Sequence, residues 1–131
     1  MVDQIKLECM FDALAEIKGF HNPDSYVYQI RNPLGVKSFT TLGRHDVDEE
    51  GRRVFKSQLA GIKACLFDLE LKVGGKSRAG LKLDDKISNL CRVYGISELG
   101  GQQKVLKYFK RALRDDSVTL NTPLSFFQAS N

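Results

Sequence analysis

Three groupings of residues in this 131-residue sequence could do chemistry. They are a Gly-Lys-Ser run, a scatter of thiols and imidazoles, and a stripe of cations near the C-terminus. The run Gly75-Lys76-Ser77, inside "LKVGGKSRAG" at 71–80, has the ending of a phosphate-binding loop. Such a loop also needs a glycine five residues before Gly75, so that successive backbone N–H groups can curl around the phosphates. Glu70 stands there. Its carboxylate would repel a triphosphate, and no G-x-G-x-x-G frame surrounds Gly74-Gly75. The stretch therefore reads as a basic linker after a helix that glycine ends. Cys9, Cys65 and Cys91 form no C-x-x-C pair, and His21 and His45 sit at no ligand spacing from each other or from a cysteine. A structural zinc site wants four closely spaced ligands. The expectation is three buried thiols, no metal and no cofactor. No nucleophile elbow or H-E-x-x-H occurs. Asp84-Asp85 and Asp115-Asp116 read as a helix cap and a solvated turn. No catalytic residue is assigned, although a Cys–His pair assembled in space stays open. The sequence points to a protein that binds rather than one that catalyses.

The cations carry the stronger signal. Lys104, Lys107, Arg111 and Arg114 recur along one helical stripe with Lys110 at its edge, and Val105, Leu106, Phe109 and Leu113 fall opposite. One face can bury while the other presents five positive charges and no acid. Lysines and arginines arranged in this way displace the counterions of a phosphate backbone. Lys72, Lys76 and Arg78 extend the expected surface. The formal net charge is +4 and is uneven. Residues 1–70 hold nine Lys/Arg against eleven Asp/Glu, a net of −2; residues 71–131 hold eleven against five, a net of +6. A solvated helix face, whose cations suit the C-terminal end of the dipole, is the competing explanation.

"NLCRVYGIS", at 89–97, resembles the first half of a helix-turn-helix. Cys91 fills the place of the small residue between the helices, Gly95 that of the turn glycine and Ile96 that of the apolar residue after it. Six residues after the turn glycine the motif wants a buried aliphatic residue, and this chain has Gly101. Gly100-Gly101 also loosens the start of a recognition helix, where base contacts are normally made. A plain helical hairpin explains the same residues.

These groups need elements to position them. Asp3 caps a helix over 4–18 in which Leu7, Met10, Phe11, Leu14 and Ile17 recur at helical spacing, and Gly19 stops it. Asn22-Pro23 opens a short helix over 23–31; the rival is a hairpin within 25–42 with "NPLG" as its turn. Residues 33–45 read as loop. Asp46 and Glu49 form a capping-box pattern that starts the main helix, 47–73. Its stripe of Phe55, Leu59, Ile62, Leu66, Leu69 and Val73 faces one way, and a second strip of Ala60, Ala64, Phe67 and Leu71 faces another. A helix apolar on two sides should be the buried spine. Further helices follow over 84–94 and, capped by Ser97, over 98–114, and Phe126-Phe127 pins the tail to the body.

The expected fold is mainly α, a single-domain bundle of four to five helices around a long central one. No apolar run approaches the roughly 20 residues that span a bilayer, and the N-terminus lacks the basic-then-apolar pattern of a secretory signal. No membrane partner and a cytoplasmic setting are expected. The partner expected is nucleic acid, DNA or RNA. The alternative is protein, or a homodimer, met through the central helix or through the aromatic segment 20–39.

Overall fold

The computed structural model describes residues 1–37 and 46–130. Five α-helices and one two-stranded hairpin follow in the order α1 (Gln4–Ile17), α2 (Tyr26–Gln29), β1 (Asp46–Val47), β2 (Arg53–Val54), α3 (Gln58–Val73), α4 (Ile87–Val93) and α5 (Leu99–Leu113), with a 3₁₀ turn at Leu124–Phe127. The fold is mainly α, a bundle of packed helices.

Asp3 caps α1 as its sequence predicts, its carboxylate accepting from the amides of Ile5 and Lys6. Leu7, Met10, Phe11 and Leu14 are buried on one face. That face packs chiefly on α5, which contributes Val105 and Phe109. The chain end closes the same core. Phe127 is fully buried and stacks on Phe109 with ring centroids 5.6 Å apart. Lys6 lies 3.9 Å from the Phe126 ring centre and its Nζ donates to the Phe126 carbonyl. The amide of Asp3 donates to the Phe127 carbonyl, and that of Ala129 to the Met1 carbonyl. The Phe126-Phe127 pair does pin the tail.

The central helix is shorter than its periodicity suggests. It starts at Gln58 rather than 47, with Ser57 as N-cap accepting from the Ala60 amide. Asp48 explains the difference. Its carboxylate accepts from the amides of Glu50 and Arg52, so the local bonds of an acidic side chain build a turn instead of a helix start. Gly51 completes the turn at φ +83, and β1 pairs antiparallel with β2 in the register Asp46↔Val54, Val47↔Arg53. The one hairpin among the described residues is thus at 46–54. Of the alternative hairpin within 25–42, residues 26–29 are helical, and residues 38–42 lie outside the described residues. The short helix spans only Tyr26–Gln29, and its cap is Ser25 rather than Asn22.

The buried side of α3 also differs. Gly61, Cys65, Leu69, Lys72 and Val73 face the core, and Leu59 of the expected stripe is 60% exposed. The second strip lies on the outer side: Phe67 is 62% exposed and Ala60 is exposed, while Ala64 and Leu71 are half-buried. The cause is a close approach. A Cβ on Gly61 would lie 1.8 Å from the Arg31 carbonyl oxygen. The helix backbone therefore rests directly on the loop after α2, and this contact sets its rotation. Two core positions, a glycine and a paired lysine, carry no apolar signal.

Gly61→Ala tests that seat. In an exposed helix the change would stabilise by about 1 kcal/mol. Here it should destabilise, read as a lower urea midpoint. Leu69→Ala should cost about 2–5 kcal/mol, as for a buried leucine. A raised midpoint in Gly61→Ala would contradict the contact.

Candidate functional site

Of the five expected cations, Arg114 is the C-cap of helix α5, in the left-handed conformation at φ +59, and the other four lie within the helix. Its buried set is Gln102, Val105 and Phe109. Lys104, Lys107 and Arg111 are exposed on the opposite side, Lys110 is half-buried at the edge, and Arg114 is exposed at the helix end. The ion pairs among the described residues are His21–Glu16, Arg52–Asp48, Arg52–Glu50 and Lys72–Asp68, and none involves α5. Two acids lie close to the stripe, and neither forms an ion pair with it among the described residues. Asp115 is held by Ser117, whose hydroxyl and amide both donate to it and keep its carboxyl below the usual range. Asp116 lines a shallow groove with Lys107, Lys110 and Arg111. At 1.5 Å per residue the helical stripe from Lys104 to Arg111 is about 10 Å long.

The turn before α5 matches the first half of the helix-turn-helix pattern. Cys91 is fully buried, and Gly95 adopts φ +82, a left-handed conformation open to glycine at little cost. The amide of Ile96 closes the turn on the Cys91 carbonyl at 2.9 Å. The second half departs from the motif. A Cβ on Gly101 would lie 3.0 Å from Ile96 Cγ2, so Gly101 is the seat of Ile96 rather than a missing core residue. The buried positions begin one residue later, at Gln102, whose side-chain Nε2 donates to the carbonyl oxygens of Ile96 and Ser97. The cap position is Glu98 rather than Ser97, and its side chain makes no capping bond.

Lys72, Lys76 and Arg78 do not join the α5 stripe. They line a separate cleft with Leu71 and Val93. Lys72 is 6% exposed, bonded to Asp68 at 2.5 Å and placed over the Tyr94 ring. It is a core ion-pair member and does not extend an open basic surface. The Gly-Lys-Ser run closes a helix instead of opening one. Gly75 sits at φ +73, its amide donates to the Lys72 carbonyl, and that of Lys76 donates to the Leu71 carbonyl. This is the bond pair of a glycine helix stop.

A second cationic site was not legible in the sequence. A cleft of about 470 Å³ opens between the end of α1, the turn at 34–37, α3 and the end of α4. Lys18, Lys37, Arg52, Lys72 and Arg92 line it, against two carboxylates, Glu50 and Asp68. The cations come from five separate stretches of sequence, so no local pattern announces them. Asp68 is bonded to Lys72 and to the Tyr94 hydroxyl, the latter at 2.7 Å. Lys18 Nζ donates to the Tyr94 carbonyl at 2.5 Å, and burial followed by the neighbouring Arg52 charge lowers its pKa.

Among the described residues no hydrogen bond joins a thiol to an imidazole, and His45 lies outside them. Burial pushes Cys65 and Cys91 up to about 12. Cys9 is half-buried rather than buried, so it is the accessible thiol of the three. Among the described residues no group of three or more His, Cys, Asp and Glu is placed to hold a metal ion, and no helix is long and apolar enough to cross a membrane. Comparisons with protein-family models, curated proteins and solved structures find no significant match.

The buried acids predict alkaline sensitivity. Cys65, Cys91 and Tyr94 are all raised, each first by burial, from ordinary values of 9.0 for the thiols and 10.0 for the phenol. Above pH 9 these groups ionise in the unfolded chain while the folded chain keeps them neutral. Their contribution is complete below pH 9 and is lost as pH rises toward 12. The urea midpoint should hold from pH 7 to 8 and fall steadily from 9 to 10.5, with a shallower fall in Tyr94→Phe. A midpoint flat to pH 10.5 would contradict the burial of these groups.

Proposed function

We propose that this protein binds nucleic acid through the phosphates, using the outer face of α5. One observation carries the reading: Lys104, Lys107 and Arg111 share the face opposite the core, with Lys110 at its edge and Arg114 at the helix end, and none is engaged in an ion pair among the described residues. Unpaired cations on a rigid helix are available to replace the counterions of a phosphate backbone. The helix also suits the shape of a DNA target, since the major groove of B-DNA, about 12 Å wide, admits one α-helix. Little sequence preference is expected. The residues at the start of α5, where base edges would be read, are Leu99, Gly100 and Gly101, and none of these side chains offers a hydrogen bond.

A second reading rests on Phe67. With Ala60, Ala64 and Leu71 it forms an outer stripe on α3, and it is 62% exposed. That stripe supports self-association with a second copy of the chain. The aromatic segment 20–39 supports it less. Phe20 is buried, the Tyr26 hydroxyl is bonded to Asp48, and Phe39 lies outside the described residues.

Fluorescence anisotropy with labelled duplexes of DNA and of RNA, at several salt concentrations, tests the first reading. Lys107→Glu/Arg111→Glu should weaken binding to every sequence, and the log–log salt slope should become shallower by about one unit per lost phosphate contact. Both side chains are exposed, so the melting curve should stay that of the wild type. No binding by the folded wild type at low salt, or equal binding by the folded variant, would overturn the proposal. A wild-type dimer that becomes a monomer on Phe67→Glu would put self-association in its place.

A further inference from the structure

We propose that the cleft between the end of α1, the turn at 34–37 and the end of α4 is a second binding site, for a small free polyanion of the pyrophosphate or phosphate-ester class. Its volume of about 470 Å³ falls within the several-hundred Å³ range of small-molecule sites. Its charge is unbalanced, with five cations against two carboxylates. Both carboxylates are already committed, Asp68 to Lys72 and Tyr94, and Glu50 to Arg52. Lys18 and Arg92 are in no ion pair among the described residues.

The geometry holds the Lys18 amine open to the cleft. Its side chain passes two glycines, Gly35 and Gly95. A Cβ at Gly35 would meet Lys18 Cε at 3.4 Å, and one at Gly95 would meet Nζ at 3.6 Å. Side chains at those positions would cover the ammonium. The Tyr94 carbonyl takes one N–H of Lys18, which leaves two of the three donors of the amine. Burial makes this unneutralised charge costly, and an anion seated in the cleft would offset that cost. Arg92 adds a planar guanidinium fork, the geometry that grips phosphate oxygens in pairs, whereas the Arg52 fork is already held by Asp48 and Glu50. With Asp48 also counted against Arg52, the remaining surplus of two cations matches a multiply charged anion better than a single carboxylate. The concave walls exclude a duplex, so this site is distinct from the convex face of α5, and no cation of α5 lines it.

Isothermal titration calorimetry with inorganic pyrophosphate at low ionic strength tests the proposal. The wild type should bind one equivalent. The Arg92 side chain makes no hydrogen bond among the described residues and is exposed, so Arg92→Glu should fold normally and bind at least about tenfold more weakly, as for loss of a charge-assisted contact. Lys18→Met should do the same where its melting curve shows a folded protein; where it does not, Arg92→Glu decides. Lys107→Glu/Arg111→Glu should bind as the wild type does. No saturable heat in the wild type, unchanged binding in Arg92→Glu, or loss of binding in the α5 variant would each overturn the site.

Discussion

Asn32 is fully buried, and its carboxamide ties three parts of the chain together. The amide nitrogen donates to the carbonyls of Val36 and Arg53, and the oxygen accepts from the Val36 amide and the Cys65 thiol. Every donor and acceptor of the side chain is used. A buried amide with all its partners specifies one arrangement, because any other leaves polar atoms dry and unpaired. The arrangement it specifies joins the turn at 34–37, strand β2 and helix α3. The next contact follows from it: the Arg31 carbonyl, one residue earlier, is the surface on which Gly61 rests. Together they place Gly35 and Arg52 beside Lys18, and so build the walls of the cleft.

The other half of the molecule is organised by apolar packing. The inner faces of α1 and α5 meet around Phe109 and Phe127. Once Val105 and Phe109 are committed inward, the helical period sends Lys104, Lys107 and Arg111 outward. The cationic face thus follows from core formation and needs no residue of its own to hold it. The cleft differs, because its cations are assembled from distant segments by a polar network. One molecule carries two cationic surfaces of opposite shape, a convex helix and a concave pocket, with separate structural supports.

The sequence was most informative where one local rule acted alone. Helices α1 and α5 appear within a residue or so of their expected ends: in α1 the Asp3 cap, the apolar period and the Gly19 stop agree, and in α5 the apolar period carries the signal without the expected Ser97 cap. The mainly α fold and the pinned Phe126-Phe127 tail follow from the same signals. Reading failed where two rules share one pattern. Asp46 to Glu49 looks like a helix start, but Asp48 and Gly51 make a turn from the same residues. The rotation of α3 was hidden for a different reason. Its core face includes Gly61, chosen for contact with a backbone carbonyl, and Lys72, buried with Asp68. Neither choice shows in hydrophobic periodicity. Lys72 consequently reads as a surface cation when it is an inner one. The cleft was invisible because its cations converge only in the folded chain.

The central claim is that the outer face of α5 is where nucleic acid meets this protein. Amide NMR during titration with an unlabelled duplex tests it most directly, since it maps contact without altering the chain. The account predicts that the shifted resonances cluster from Lys104 to Arg114, with Lys18, Gly35 and Arg92 little changed. Shifts centred on Ala60 to Leu71 or on the cleft, with α5 unmoved, would contradict it.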